Sequence, residues 1–349
     1  MATITTVATA VPPHVIPQAK AAAVMQRYFA LDPAKLKSML RLFENAQVKR
    51  RYSVLPLEEL SKPHSLTESA QAYREHAVPL ARKVASDCLD QAGLRAADID
   101  LLITVSCTGI MIPSLDAHLI NDLGFRSNVR RLPITELGCA AGACALSRAS
   151  ELLRASPRSN ALVVAVELPS LTFQRDDVSP ANLVSSALFG DGAAAALLTS
   201  GEAPGPRILD TESYLFPHSL GAMGFDLEDG GLHIVLSKNV PDLIRSQVKR
   251  LVDSLIVRNG LGRDQLSFFV LHPGGKKVLG YLEQELGLSR DATQPSWDVL
   301  RDYGNLSSAS VLFVLHEWLT CRRPAAGEIG LMAAFGPGFS SEMLLLQWT

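Results

Sequence analysis

Two stretches of the chain decide its fold: ARKVASDCLDQAGLRAADIDLLITV, residues 81–105, and VKRLVDSLIVRNGLGRDQLSFFVLH, residues 248–272. In the first, Ala81, Val84, Ala85, Cys88 and Leu89 recur at i, i+3, i+4, i+7 and i+8, the apolar stripe of an amphipathic helix predicted over residues 77–92. Gly93 is the expected stop. After a short linker comes LLITV, a continuous run of strand formers suited to burial on both faces of a parallel sheet. In the second stretch, Val248, Leu251, Val252, Leu255 and Ile256 occupy the same five offsets before Gly260, and Phe268-Phe269-Val270-Leu271 starts eight residues after it, as LLITV does after Gly93. A helix, a stop glycine and a strand at one register, 167 residues apart, read as an internal duplication.

Working outward, a second pair agrees. GCAAGACALSRASELL from Gly138 and GNLSSASVLFVLHEWL from Gly304 both open with small residues and continue with helical apolar spacing, which makes Cys139 and Asn305 equivalent positions. Each copy closes with two strand-like runs, 161–168 and 192–200 in one, 329–335 and 342–348 in the other. The expectation is an α/β protein of two similar halves, residues 1–200 and 207–349, divided in the Gly/Pro-rich GEAPGP (201–206), with buried helices between their sheets. Ligands of parallel sheets sit at strand C-termini, so the strand ends and helix starts of both halves should meet at one site.

Composition supports much burial. Of 349 residues, 47% are hydrophobic and 19% charged, below the roughly 25% charged of an ordinary soluble domain. The net charge is 33 − 35 = −2 and Lys49-Arg50-Arg51 is the only notable basic cluster, which argues against nucleic acid or an anionic membrane surface as partner. The start, MATITTVATAVPPH, has neither a charged n-region nor a long apolar core, and no apolar run reaches membrane-spanning length. Five cysteines without CxxC spacing suggest neither a disulfide framework nor a zinc site, so a soluble, cytoplasmic protein is expected.

Three residues stand out chemically. Cys139 lies between Gly138 and two alanines at a predicted helix start, where the helix dipole and free N–H groups favour a thiolate. Alone, it also fits the commoner reading of a small buried core cysteine, which Cys88 and Cys144 keep. His272 follows the buried strand FFVL at the turn Pro273-Gly274-Gly275, placed to pair with a thiolate, donate to a carbonyl oxygen, or satisfy a core hydrogen bond. Asn305 begins the second symmetric helix, where an N-cap is the ordinary role. The duplication brings all three to one cleft, a nucleophile with two donors suited to covalent acyl chemistry and to oxyanion or enolate stabilisation. No GxSxG elbow, Walker loop or GxGxxG after a strand appears, and no HExxH or Cys/His cluster suggests a metal.

GCAAGA around Cys139, LFGDGAAAA (188–196), HPGG (272–275), YGNLSSAS (303–310) and FGPG (335–338) together resemble the type III polyketide synthases, the chalcone synthase-like branch of the thiolase superfamily. The resemblance spans essentially the whole chain and implies a homodimeric, layered αβαβα fold. It also implies that Cys139 carries the acyl chain as a thioester, that His272 and Asn305 bind malonyl-CoA and stabilise its enolate, that His272 keeps Cys139 ionised, and that no metal or redox cofactor is needed. Phe189 matches a gatekeeping phenylalanine; the family's second gate falls on Ile234, and Ala334 replaces the first glycine of GFGPG. Arg41, Lys49, Lys276 and Lys277 are the candidates for the coenzyme A phosphates.

CTGIMIPSLDAHLINDLGF followed by ITELGCAAGA looks most like bacterial 1,3,6,8-tetrahydroxynaphthalene synthases, which use malonyl-CoA as starter and extender. That likeness adds Cys107, Phe225 (a tyrosine in the subgroup), Thr172 and Pro169 (cysteines there), and Ser307 as pocket residues. The rival within the family is an acyl-CoA-primed alkylpyrone or alkylresorcinol synthase, consistent with Ile234 and Phe225. More remote are a ketoacyl-carrier-protein synthase, expected to show HQAN rather than HPGG, and a non-catalytic acyl-binding subunit, expected to lack Cys139.

Overall fold

Alternation along the strands sorts the side chains into three cores. The computed structural model describes residues 1–29, 32–60, 62 and 64–349. Among them, one sheet holds β1 (Ala2–Ala10), β2 (Leu101–Val105), β3 (Arg130–Ile134), β4 (Asn160–Glu167), β5 (Gly192–Ser200), β6 (Pro206–Leu215), β7 (Leu266–Leu271), β8 (Ile329–Gly336) and β9 (Ser340–Trp348). Their spatial order is β7-β8-β9-β6-β1-β5-β4-β2-β3. The helices that matter here are α1 (Leu66–Ala92), α2 (Leu115–Leu123), α3 (Ala141–Arg154), α4 (Val240–Val257), α5 (Lys276–Leu286), α6 (Arg290–Tyr303) and α7 (Ser310–Glu317).

Leu101, Ile103, Val105, Val163, Phe268 and Met332, from strands of both flanks, point into a single core with α3 and α7. Their neighbours point the other way. Leu102, Leu162 and Val164 pack on α1 and α2, while Phe269, Leu271 and Leu331 pack on α4, α5 and α6. The period of two along a strand therefore builds the layers α, β, α, β, α, with the most deeply buried helices in the middle. Burying one such Leu, Ile or Val contributes about 1.5–3 kcal/mol, which is why a strand such as β2 is apolar on both faces. The central helices approach closely: a Cβ at Gly142 would lie 2.1 Å from the Ser308 carbonyl oxygen.

The duplication is visible in the pairing. β2 runs parallel to β4 as β7 does to β8, and antiparallel pairs continue through β5 to β1 and through β9 to β6. The two expected sheets are flanks of one, joined between β1 and β6 where Thr3 pairs with Arg207. β3, parallel to β2, has no counterpart in the second flank. Helix ends differ from expectation in two places. α1 starts at Leu66, eleven residues ahead of the predicted 77, because Ser65 and Glu68 form a capping box. α4 ends at Val257, and Gly260 serves the following turn at φ 72° instead of stopping the helix directly. Gly93 ends α1 in the left-handed conformation, as predicted. No described helix is long and apolar enough to cross a membrane.

Candidate active site

Cys139 lies in the short 3-10 turn Gly138–Ala140 that leads into α3, and it is buried. Its Sγ is 3.6 Å from Ser307 Oγ and 4.0 Å from Asn305 Oδ1. Cys107, just past the end of β2, places its Sγ 3.4 Å from the same Ser307 hydroxyl. One hydroxyl from the second half thus bridges two thiols from the first. Burial pushes the Cys139 thiol up to about 12, against the lowering expected at a helix start. Cys107 is raised as well, by burial and then by the charge of Glu167. Removal from water outweighs the partial charge of a helix end here.

Asn305 departs slightly from its predicted place. It precedes the 3-10 turn Ser307–Ala309 that leads into α7, whose N-cap is Leu306, and is held in an isolated parallel bridge with Phe189. Its Oδ1 still does capping work, accepting from the Ser307 N–H at 2.9 Å and from Ser310 Oγ at 3.2 Å. An amide whose oxygen is so engaged presents its NH2 as the free donor. The Cys139 thiol faces that same oxygen, donating to it at 4.0 Å.

His272 continues the line of β7, and its N–H donates to the Ala333 carbonyl at 2.9 Å. The imidazole is buried, its Nδ1 has no hydrogen-bond partner, and burial lowers its pKa to about 3. Among the described residues no hydrogen bond joins it to Cys139. Gly274 leaves the ring room, since a Cβ there would sit 3.3 Å from Cδ2 and 3.5 Å from Nε2. Burial therefore favours the neutral form of both the thiol and the imidazole, against the thiolate that a helix start favours.

Sequence reading passed over Glu167. The last residue of β4 is a fully buried carboxylate that accepts from the Cys107 N–H (3.1 Å), Thr108 Oγ1 (2.7 Å) and the Ser308 hydroxyl, with Cys107 Sγ at 3.6 Å. Burial raises its pKa, and these donors pull the other way. One signal was available: a single acidic residue closing the otherwise apolar ALVVAVE.

The remaining candidates separate. Phe189 follows the helix Pro180–Leu188, bridges Asn305, and lines a cavity of about 60 Å³ with Arg51, Phe173 and Met25. Phe225 and Ile234 are directly opposite one another on the hairpin Met223–Glu228/Gly231–Leu236, both half-buried. Thr172 is buried and spends its hydroxyl on the Pro169 carbonyl at 2.9 Å, within its own turn. Arg41, Lys49, Lys276 and Lys277 are exposed; Arg41 lies on the helix Pro33–Asn45, Lys49 precedes the strand Arg50–Ser53, and the two lysines open α5. Among the described residues no hydrogen bond or ion pair links the four side chains to one another.

Comparison with known proteins agrees with this geometry. The family model for chalcone and stilbene synthases, N-terminal domain, matches residues 1–202, and that for the C-terminal domain matches residues 208–348. The chain is 38% identical to a 1,3,6,8-tetrahydroxynaphthalene synthase of Streptomyces peucetius, over 99% of this chain and 93% of the other. It is 36% identical to a phloroglucinol synthase of Pseudomonas fluorescens, with 97% of each covered. The crystal structure of the tetrahydroxynaphthalene synthase of Streptomyces coelicolor A3(2), a bacterial type III polyketide synthase, superposes with a TM-score of 0.96 at 36% identity, covering 99% of both chains.

Proposed function

The chain belongs to the chalcone and stilbene synthase family and is a type III polyketide synthase, an acyltransferase; on that footing we propose that Cys139 carries the growing chain and malonyl-CoA supplies each extension. The observation that supports this most is the gathering of Cys139, Ser307 and an Asn305 amide with its oxygen tied back. Loading begins with transfer of the Cys139 proton to His272. Both groups are buried, so the attraction between the resulting thiolate and imidazolium in a low-dielectric pocket is what offsets their desolvation. The thiolate attacks the acyl-CoA carbonyl, and coenzyme A leaves as thiolate and takes up the proton.

Malonyl-CoA then binds with its thioester oxygen toward the imidazole and the Asn305 NH2. The bond to the carboxylate breaks, carbon dioxide leaves, and the electron pair becomes an enolate whose oxygen these donors stabilise. The enolate carbon attacks the Cys139 thioester, the C–S bond breaks with Cys139 leaving as thiolate, and the chain, two carbons longer and now a coenzyme A thioester, returns to Cys139 by the same loading step. The scheme draws on no metal or redox cofactor, since two fixed donors handle the developing charge. The exposed Lys276 and Lys277 at the start of α5, with Arg41 and Lys49, are our candidates for the coenzyme A phosphates, a phosphate being favoured at a helix N-terminus.

We take malonyl-CoA as starter too, with closure to 1,3,6,8-tetrahydroxynaphthalene, in a cytoplasmic homodimer. The reading draws on the Streptomyces relatives and on Cys107 beside Ser307. A second reading, priming by a longer acyl-CoA to give an alkylpyrone or alkylresorcinol, draws on the opposed Phe225 and Ile234, which remove a hydroxyl and a ring from one hairpin. Mass spectrometry of products from malonyl-CoA alone separates them. An aromatic pentaketide supports the first, and products only after a long acyl-CoA is added would overturn it.

A further inference from the structure

Four successive carbonyls at the end of the helix Pro180–Leu188 are each taken by a donor from elsewhere in the chain. Arg51 Nη1 donates to the carbonyls of Ser186 and of Phe189, the latter at 3.1 Å. Gln18 Nε2 donates to that of Ala187 at 2.9 Å, and the Asn305 backbone N–H to that of Leu188 at 2.8 Å. Arg51 Nη2 donates to Gln18 Oε1, so the two side chains brace one another. The path then returns: the Gly190 N–H donates to the Asn305 carbonyl (3.1 Å) and the Asp191 N–H to that of Tyr52 (2.9 Å). Asp191 accepts the Val54 N–H at 2.9 Å.

Residues 188–191 are thus laced between the strand Arg50–Ser53 and the residue that presents the amide. There is no slack in the lacing. A Cβ at Gly190 would lie 2.6 Å from the Tyr303 carbonyl oxygen and 3.0 Å from Arg51 Cβ, and the Tyr52 and Tyr303 rings stack with centroids 5.7 Å apart. Helix ends leave their last carbonyls without intrahelical partners, and in most proteins water or a cap takes them. Here the guanidinium of Arg51, a residue only 6% exposed, does so from inside. Lys49 and Arg50, its neighbours in the basic cluster, are both exposed.

We infer that Arg51 is a positioning residue for the condensation: holding the carbonyls of Ser186 and Phe189, it fixes the 188–191 segment, and through it the seat of Asn305 in the cleft and of Phe189 at its edge. The inference rests on the reading of Asn305 as the amide that receives the enolate. Arg51 acts through backbone alone. Its planar fork of donors reaches carbonyls that the single ammonium of a lysine covers only in part.

The test uses the full chain and measures malonyl-CoA decarboxylation, iodoacetamide alkylation of Cys139 and the thermal midpoint. Arg51→Met should lower kcat for decarboxylation about tenfold or more, since sub-ångström misplacement of a donor is costly. KM for malonyl-CoA and the alkylation rate should stay within about threefold, and Arg51→Lys should recover part of the loss. A folded Arg51→Met protein that decarboxylates at the wild-type rate overturns the inference, as does one whose alkylation rate changes as much as its decarboxylation. Should Arg51→Met not fold, Gln18→Leu, which removes the Ala187 link, decides: a selective fall in decarboxylation supports the inference and a wild-type rate overturns it. Asn305→Ala keeps the two ideas apart. If that variant decarboxylates normally, the reading of Asn305 itself is wrong; if it is inactive while the Arg51 and Gln18 variants are not, only the role of Arg51 falls.

Discussion

The first flank and the second share a skeleton and divide the chemistry. Past the end of β2, at the end of β4 and in the turn ahead of α3, the first presents two thiols and a carboxylate, Cys107, Glu167 and Cys139. Past the end of β7 and ahead of α7, the second presents an imidazole, an amide and hydroxyls, His272, Asn305, Ser307 and Ser308. Cys139 is fixed by the turn it sits in, whereas Asn305 stands ahead of its turn and is held by a segment from the other half of the sequence. Two equivalent helix starts carry different groups, a thiol at one and an amide at the other; on our proposal the first seats the nucleophile and the second a donor that receives charge.

If the division holds, substitutions on the two sides should fail differently. Cys139→Ala should reduce product formation by about a thousandfold or more yet leave malonyl-CoA decarboxylation measurable, because the donors remain; equal loss of both, followed by release of carbon dioxide, would break the comparison. Asn305→Ala should do the reverse, lowering decarboxylation by about 10²–10³-fold while Cys139 still takes a radiolabelled acyl group. Loss of labelling in that variant would mean that the amide serves the thiol instead.

Stability against pH should divide along the same line. An unfolded histidine gains its proton near pH 6.5, but burial holds the pKa of His272 down at about 3, so its contribution is present above 6.5 and lost as pH falls toward 3, on the order of 5 kcal/mol in all. Cys139, raised to about 12 from 9.0, works at the other end, its contribution lost as pH rises above 9. His272→Gln should flatten the acid limb of a denaturation series, and Cys139→Ser the alkaline limb. Asp191, raised to about 6 by burial, loses stability between about 4 and 6 as pH rises, so the difference between variant and wild type is the quantity to follow. The smallest effect belongs to the contact between the halves. Gly142→Ala, which must displace the Ser308 carbonyl, should cost about 1–3 kcal/mol in urea denaturation, and a neutral result would show that the central helices can part.

How much of this was legible in the chain follows from which interactions are local. The stripes ahead of Gly93 and Gly260 and the runs LLITV and FFVL carry their own periodicity, so the layers could be read. β3 could not, because RRLPI carries two arginines and a proline at the sheet edge. Cys139, His272 and Asn305 were legible as candidates because the repeat and the family motifs mark them. How far Cys139 and His272 are removed from water could not be read, since burial depends on what packs around a residue and not on its place at a helix start. The pairing of Ile234 with Phe225 and of Phe189 with Asn305 joins residues whose partnership no local pattern announces.

The place of β1 has a further consequence, for how the protein is made. Residues 2–10 lie in the middle of the sheet, yet their partners in register are residues 193–200 and Arg207. At about 5–20 residues per second, a ribosome reaches those partners roughly ten to forty seconds after β1 has been polymerised. Through that interval an apolar segment destined for the centre has no neighbour on either side. β1 therefore waits for β5 and can join the first flank as soon as residues 193–200 have been made, before any strand of the second flank exists.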